Sequence, residues 1–306
     1  MLGFRKLAVG VLAIGTATIG LLAAPSAGAA AHYPVPYDFG AGIVAESLHP
    51  GAVPPGANNF SCRPSAAHPY PVVLVHGTFG DMTDSWQALS PLLANDGFCV
   101  FALNYGGAAG NPIQATGAIE DSAAQLGAFV TSVLQATHAK RVDIVGHSQG
   151  GMMPRYYIDF LGGASKVHAL VGLAPSNHGT TLFGLSTLAS AFGSGAGAIP
   201  GCAACSEQMA GSAFLAHLDA GSETRPHVAY TVIETKYDDV VTPYTSAFLN
   251  GPGVTNITVQ DQCPIDFGDH LAIIYDRVAL ADVVNALDPA HATPPPCVPV
   301  APGIGG

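Results

Sequence analysis

Short apolar runs alternate along the chain with longer segments of helical periodicity. The runs over 71–75, 99–104, 142–145, 167–173, 227–235 and 254–260 are typical of strands that are buried on both faces of a sheet. Apolar residues recur every three or four positions over 85–94, 114–138, 152–161 and 271–287, which predicts helices. Strands that alternate with helices predict one α/β domain over 32–306, with a mostly parallel central sheet flanked by helices.

Three segments depart from this pattern. Residues 32–69 are rich in Pro, Gly and Ala and predict an extended wrap over the domain. Residues 182–215 are apolar but dominated by Gly, Ala and Ser, and they form either a small cap or lid insertion that meets an apolar substrate or a helix pair packed on the sheet. A Pro-rich tail over 289–306 closes the chain, and Cys297 is expected to hold it in place.

The first 31 residues have the features of a signal peptide. Arg5 and Lys6 precede an apolar stretch over 7–24, and the small residues over 27–31 fit the small-x-small cleavage pattern. The alternative is an uncleaved anchor, because the apolar stretch is close to the length that crosses a bilayer. Cleavage is the preferred interpretation and predicts a secreted chain with no membrane span in its mature form.

Composition narrows the class of protein. Only 10% of residues are charged and 49% are hydrophobic, which favours a compact core over disorder. The net charge of −11 argues against nucleic acid as a partner.

An even number of cysteines in an exported chain indicates disulfides. Sequence order favours three pairs: Cys62 with Cys99, Cys202 with Cys205 and Cys263 with Cys297. The Cys202–Cys205 spacing is also compatible with a metal half-site or a redox motif, but no second half-site of zinc spacing follows it.

The strongest motif is Gly146-His147-Ser148-Gln149-Gly150, which lies between a predicted strand and a predicted helix. This is the G-x-S-x-G pattern of a nucleophile elbow, where glycines allow a tight turn that presents the serine at a helix N-terminus. The alternative, an ordinary Gly/Ser turn, leaves its position between two apolar elements unexplained. Ser148 is therefore the candidate nucleophile.

The loop after the first strand is the candidate source of an oxyanion donor. It reads His76-Gly77-Thr78-Phe79-Gly80, and a loop of this form upstream of the elbow supplies a backbone N–H to the reacting carbonyl oxygen. Thr78 is the preferred donor, Phe79 is the alternative, and an ordinary strand–helix loop is the third possibility.

A serine nucleophile needs a base, which a third group orients, in the chain order Ser, acid, His. Beyond the expected acid loop only His270 and His291 remain, and His291 lies in the Pro-rich tail. His270 is therefore the candidate base, and Asp238, which follows a strand, is its candidate partner. The weaker candidates for the acid are Asp239, Asp266 and Asp269, while His76, His147 and His178 are expected to shape loops rather than catalyse.

These motifs together resemble secreted actinobacterial lipases of the class 2 triacylglycerol lipase family, and more distantly the Bacillus and Candida lipases. The resemblance covers roughly residues 32–300 and implies the α/β-hydrolase fold and ester hydrolysis by Ser148, His270 and Asp238 without metal or organic cofactor. It also implies that the backbone N–H groups of Thr78 and Gln149 bind the oxyanion. One departure is Gln149, where bacterial lipases more often have Met. Because the expected donor is the backbone N–H, the change of side chain leaves this role intact.

The expected substrate is an acylglycerol or another ester at a lipid–water interface, and the expected state is a monomer. Three other functions stay open: a secreted short-chain esterase or polyester depolymerase with the same triad, an acyltransferase, and a non-enzymatic cell-envelope binding protein.

Overall fold

The structure is a computed structural model that describes residues 2–3, 32–192 and 201–306. The chain from His32 to Gly306 forms one compact unit. Apart from residues 2–3, the expected signal peptide lies outside the described residues, as do residues 193–200 of the expected cap. No helix in the described part of the chain combines the length and apolar character needed to cross a membrane.

Six strands within the described residues form one parallel sheet. Their bounds are β1 Val72–Val75, β2 Val100–Leu103, β3 Val142–His147, β4 Val167–Leu173, β5 Ala229–Glu234 and β6 Val254–Thr258. The order across the sheet is β2-β1-β3-β4-β5-β6, and every neighbouring pair is parallel. The chain steps outward from β1 to β2 and then returns to the other side of β1 with β3. In sheets of this kind ligands bind at such a reversal, beside the carboxyl ends of the strands.

Helices cover both faces of the sheet. The helices of the described residues are α1 Phe39–Leu48, α2 Met82–Ser85, α3 Leu89–Asn95, α4 Ile119–Thr137, α5 Gln149–Phe160, α6 Leu182–Ala191, α7 Ala203–Glu207, α8 Ala213–Leu218, α9 Val259–Gln262 and α10 Arg277–Leu287. Short 3-10 turns occupy Gly163–Ser165, Tyr244–Ala247, Ala272–Tyr275 and Pro289–His291.

Alternate residues of β1 show how the two layers form. Val73 and Val75 lie in the same apolar core as α4 and α5, whereas Val72 and Leu74 lie in the core that contains residues of α3 and α10. Side chains of a strand point alternately to opposite faces. Because both faces are covered, a continuous apolar run is stable here, and the prediction of a mostly parallel α/β sheet is confirmed.

Several predicted boundaries were wrong. The segment over 32–69 is not extended throughout, because α1 forms there with its N-terminus capped by Asp38, whose carboxylate accepts the Gly40 N–H at 2.7 Å. The predicted helix over 271–287 is interrupted at Asp276, whose side chain caps α10 by accepting the N–H groups of Val278 and Ala279. In each case a side-chain hydrogen bond fixes the N-terminus of a helix that composition or apolar periodicity did not predict there.

Three disulfides join the six cysteines in the pairs that sequence order predicts. Cys62–Cys99 ties the N-terminal wrap to the start of β2, and Cys263–Cys297 holds the C-terminal tail against the loop after α9. Cys202–Cys205 closes a small loop at the start of α7. The tail is also paired with the body of the domain, since Phe267 N–H donates to Val300 O at 3.1 Å.

Candidate active site

The turn between β3 and α5 has the conformation of a nucleophile elbow. Ser148 adopts φ 54° and ψ −122°, a region that residues with a side chain rarely occupy. A Cβ on Gly150 would overlap the carbonyl oxygens of Val75 and His76, and a Cβ on Gly146 would overlap that of Gly150. The two glycines therefore allow β3, β1 and α5 to approach closely enough to hold Ser148 at the carboxyl edge of the sheet.

His270 and Asp238 are in direct contact, although 32 residues separate them in the chain. His270 Nδ1–H donates to Asp238 Oδ2 at 2.7 Å, and both side chains are fully buried. Asp238 follows β5, and its Oδ1 also accepts the backbone N–H groups of Val240 at 2.8 Å and Val241 at 2.6 Å. Three donors therefore fix this carboxylate in an orientation that aligns the imidazole.

The electrostatics of His270 suit a general base. Burial alone disfavours the imidazolium, but the charge and the hydrogen bond of Asp238 outweigh burial and raise the pKa of His270 above its usual value. Its Nε2 is buried and has no hydrogen-bond partner among the described residues. Since Nδ1 carries the proton given to Asp238, Nε2 of the neutral ring is left as an acceptor.

His147 supports the same loop from the elbow. Its Nε2–H donates to the carbonyl oxygen of His270 at 2.9 Å, and the two rings lie 4.8 Å apart between centroids. Burial, followed by the nearby His270, lowers the pKa of His147 well below its usual value, so this ring is neutral. The expectation that His147 shapes a loop agrees with this contact.

Of the two backbone N–H groups considered as oxyanion donors in the loop after β1, only that of Thr78 is free of an acceptor among the described residues. Phe79 N–H donates to Gln114 O at 3.0 Å, so this group is already occupied. The backbone N–H groups of Thr78 and Gln149 donate to no acceptor within the described part of the chain. Gln149 is the first residue of α5, where the helix leaves N–H groups unpaired. The geometry therefore favours Thr78 over Phe79 as the free donor.

A buried polar network surrounds Thr78, and sequence reasoning missed it. The Thr78 hydroxyl oxygen accepts Nε2–H groups from Gln149 and from Gln208, each at 2.9 Å. Gln149 Nε2 also donates to Ala115 O at 3.0 Å, and Ser176 Oγ donates to Gln208 Oε1 at 3.0 Å. Gln149 thus takes part in this network with its side chain, in addition to offering its backbone N–H. Gln208, from the segment expected to form a cap, contacts the loop after β1 through Thr78.

The remaining candidate residues of the sequence are placed elsewhere or have other partners. Asp239 is exposed, and Asp269 caps the turn after it by accepting N–H groups of Leu271 and Ala272. Asp266 is buried and accepts Gly268 N–H at 2.8 Å. His291 is exposed and pairs with the carboxylate of Asp288.

His76 and His178 also have structural contacts. His76 is buried against Tyr105 and its Nδ1–H donates to Gly77 O, while burial lowers its pKa to about 4. His178 binds Ser246 O and the carboxylate of Glu223. Within the described residues no group of three or more His, Cys, Asp or Glu side chains is arranged to hold a metal ion.

Comparison with known families agrees with this geometry. The family model described as "Lipase (class 2)" matches residues 69–279, which include the elbow, the loop after β1, Asp238 and His270. The chain belongs to the class 2 lipase family. The match ends before the C-terminal tail.

Curated relatives of this class 2 lipase family member are similar over a limited segment. A triacylglycerol lipase of Pseudarthrobacter phenanthrenivorans is 38% identical over 96 residues, which are 30% of this chain and 28% of the relative. A triacylglycerol lipase of Burkholderia plantarii is also 38% identical over 96 residues, or 25% of that relative. The similar segment thus spans about a quarter of each relative.

Solved structures show the same fold at low sequence identity. Aspergillus fumigatus lipase B superposes with a TM-score of 0.58 over 82% of this chain and 58% of its own, at 19% identity. The mature Bacillus licheniformis lipase BlEst2 gives a TM-score of 0.53 over 78% of this chain and 96% of its own, at 16% identity. These likenesses establish the α/β-hydrolase fold.

Proposed function

We propose that this chain is a secreted serine hydrolase that cleaves the esters of acylglycerols through an acyl-enzyme intermediate. The observation that carries the proposal is the state of His270: its Nδ1–H donates to Asp238, and its buried Nε2 has no hydrogen-bond partner in the part of the chain that the structure describes. A base in this state, on a loop beside a serine elbow, is what proton removal from a serine hydroxyl requires.

In the first step Ser148 Oγ attacks the ester carbonyl carbon while His270 Nε2 takes its proton. Asp238 stabilises the imidazolium that forms. Collapse of the tetrahedral intermediate transfers that proton to the alcohol that leaves, and Ser148 retains the acyl group. Water then attacks the acyl-enzyme, with His270 again as base, and releases the fatty acid.

Charge that develops on the carbonyl oxygen is bound by the free backbone N–H groups of Thr78 and Gln149. One such donor is typically worth about 3 kcal/mol of barrier. Both donors belong to residues whose side chains are tied together by the Thr78–Gln149 hydrogen bond, so the two N–H groups are held in one arrangement before substrate binds. Preorganisation of this kind is the main source of electrostatic catalysis.

An apolar substrate is supported by exposed aromatic side chains near the triad loops. Phe183 on α6 is 79% exposed. Tyr237 precedes Asp238, Phe267 lies three residues before His270, and their rings contact each other with centroids 5.5 Å apart. Exposed apolar side chains that contact one another form the kind of surface that binds apolar partners or lipid. Because Phe183 belongs to the segment over 182–215, of which residues 193–200 lie outside the described part, we infer that this segment is a cap that meets the acyl chain.

Secretion is supported by the cysteines. All six are joined in disulfides, which persist in oxidising compartments outside the cytosol. The basic and apolar residues over 1–31 provide the export signal that this localisation needs.

The test is the initial rate of hydrolysis against acyl-chain length, from acetate to oleate esters, with Ser148→Ala as the matched control. We expect rates that hold or rise for long-chain emulsions and fall by about 10⁴-fold or more in Ser148→Ala. Turnover of short soluble esters alone would make the protein an esterase. Activity that survives in Ser148→Ala would exclude Ser148 as the nucleophile, and an inactive wild type would favour a binding protein.

A further inference from the structure

A second carboxyl group lies against the catalytic pair. Glu234 is the last residue of β5, four residues before Asp238, and it is fully buried. Its Oε1 accepts the backbone N–H of Thr235 at 2.8 Å. Its Oε2 is buried and receives no hydrogen bond from any donor of the described residues.

A turn at the end of β5 brings Asp238 back toward Glu234, since Asp238 N–H donates to Thr235 O at 3.2 Å, and a side-chain hydrogen bond with Asp238 acts on the Glu234 carboxyl group. Burial raises the pKa of Glu234 well above its usual range, and the charge of Asp238 raises it further. The charge that raises the pKa of Glu234 is that of Asp238. Asp238 also lies close to His270 and Asp239. Two carboxylates in contact at a buried site do not both ionise, because like charges in a low-dielectric environment repel strongly.

The hydrogen-bond donors decide which of the two carboxyls keeps the charge. Asp238 accepts three hydrogen bonds, from Val240, Val241 and His270. Glu234 accepts one, from Thr235. Hydrogen bonds to a carboxylate stabilise its charged form, so the negative charge stays on Asp238 and the proton resides on Glu234. Protonation also explains why Oε2 receives no hydrogen bond, because a protonated Oε2 is itself an O–H donor.

We propose that Glu234 is a positioning residue: a neutral carboxylic acid whose Oε2–H donates to Asp238 and thereby sets the orientation and basicity of the triad carboxylate. A hydrogen bond donated to Asp238 withdraws part of the negative charge that stabilises the His270 imidazolium. His270 consequently loses its proton at a lower pH than it would beside an unbridged Asp238. The enzyme therefore keeps its base neutral, and active, at a lower pH.

The same end of β5 is joined to the loop that carries His270. Thr235 Oγ1–H donates to Gly268 O at 2.6 Å, and Gln260 Nε2–H donates to Thr235 Oγ1 at 2.9 Å. Glu234 therefore acts within a rigid junction between the acid and the base of the triad. Motion of Glu234 relative to Asp238 is restricted, which a fixed hydrogen bond between them requires.

Two variants of similar size separate hydrogen bonding from packing. Glu234→Gln keeps an N–H donor toward Asp238 and does not ionise, whereas Glu234→Met fills a similar volume without a donor. The first readout is the acid limb of kcat/KM against pH. We expect Glu234→Gln to retain the wild-type acid limb and Glu234→Met to move it upward by about one pH unit. An acid limb unchanged in a folded Glu234→Met, or moved equally in both variants, would overturn the inference.

This inference rests on the proposed serine hydrolase function, so the second readout does not need activity. The ring of His270 is titrated by NMR in Ser148→Ala, with and without Glu234→Met. An upward shift of its pKa in the double variant supports the role of Glu234 even if no ester is hydrolysed, and an unshifted pKa contradicts it. If the wild type hydrolyses no ester but the pKa of His270 shifts as expected, only the proposed function is contradicted.

A third measurement covers the case in which Glu234→Met does not fold. The infrared difference spectrum of wild type minus Glu234→Gln at neutral pH should contain the C=O band of a protonated carboxylic acid. A carboxylate band in its place would show that Glu234 is ionised and would overturn the proposal.

Discussion

Thr78 is the residue on which two buried amide side chains of the active site converge. Its hydroxyl oxygen accepts hydrogen bonds from Gln149 and Gln208, which lie 71 and 130 residues away in sequence. One comes from the elbow helix and the other from the end of α7. The loop that carries the proposed oxyanion donor is therefore fixed by side chains from two other parts of the chain.

Replacement of this hydroxyl should impair the oxyanion site. We expect Thr78→Val to lower kcat between about 10- and 100-fold, because the loop loses both tethers and its N–H group moves from the position of the oxyanion. Two buried amide groups also lose an acceptor, which should destabilise the fold by about 1–3 kcal/mol. Steady-state kinetics and thermal unfolding measure the two effects.

The matched control is Thr78→Ser, which keeps the hydroxyl and removes one methyl group. It should retain most of the wild-type kcat. Equal rates in Thr78→Val and wild type would show that neither tether positions the donor.

Single residues differ in how well the sequence predicts them. Ser148 is predicted from a local motif, and His270 is predicted from the order of the candidate residues along the chain. Thr78 and Phe79 were left as alternatives, and the choice depends on the Phe79 N–H bond to Gln114, a contact across 35 positions. Glu234 and Gln208 belong to no sequence motif. The contacts on which their proposed roles depend form only when the chain folds.

At the scale of elements, the elbow depends on the close approach of β1, β3 and α5. Gly150→Ala would place a methyl group against the carbonyl oxygens of Val75 and His76, which are backbone atoms with little freedom to move. We expect destabilisation by about 3 kcal/mol or more and loss of ester hydrolysis. Urea unfolding and soluble yield are the measurements.

A glycine in another helix provides the comparison. In α1, a Cβ on Gly40 would meet only the carboxylate of Asp38, at 2.9 Å, which is the end of a side chain rather than backbone. Gly40→Ala should keep wild-type activity and lose at most about 1 kcal/mol of stability, because the carboxylate that caps α1 has to shift. If Gly150→Ala behaved in the same way, the elbow would not be as tightly packed as the structure indicates.

Element boundaries show where periodicity is insufficient. The helix predicted from Gln114 begins at Ile119 instead, because Ala115 adopts φ 55° and the Ile119 N–H is bound by the carboxylate of Glu207 at 2.7 Å. That carboxylate lies 88 residues away. The apolar face of the helix was read correctly, with Leu126 and Val130 buried, but its start was set by a distant residue.

For the whole molecule, buried acids are a recurrent feature. Burial raises the pKa of Asp84 to about 8, with the charge of Asp81 adding to the effect. Burial and then the neighbouring Asp266 raise the pKa of Asp276 to about 8. In the unfolded chain both groups titrate near 3.9. Between roughly pH 4 and pH 8 the folded protein therefore holds protons that the unfolded chain has released.

The sign of the pH dependence follows from linkage. Because the folded state binds more protons in this window, the contribution of these groups to stability is complete below about pH 4 and is lost as pH rises through about 8. We expect the free energy of unfolding to fall from pH 5 to pH 8, by about 3–4 kcal/mol for Asp276 alone. Denaturant unfolding at a series of pH values measures it.

Asp276→Asn isolates this contribution, because an asparagine oxygen still caps α10 but does not titrate. The variant should show a shallower loss of stability with pH. Asp261→Asn is the control, since that carboxylate is largely exposed and pairs with Lys236 at the surface. A slope that is the same in wild type and Asp276→Asn would contradict the assignment.

The sequence by itself determined the class of fold and predicted the nucleophile. Strand and helix signals are periodic and local, and a G-x-S-x-G turn is specified by residues within five positions of one another. The disulfide pairs followed sequence order and are present as expected. In each of these cases the information lies in neighbouring residues or in a simple order along the chain.

Only the tertiary structure decided how the site is supported. The Thr78 network, the His147 bond to His270 and the contact between Glu234 and Asp238 each join groups whose partners depend on the path of the whole chain. Buried polar groups acquire their hydrogen bonds and their protonation states from the three-dimensional environment. That environment forms only when the sheet order is complete, and no local pattern encodes it.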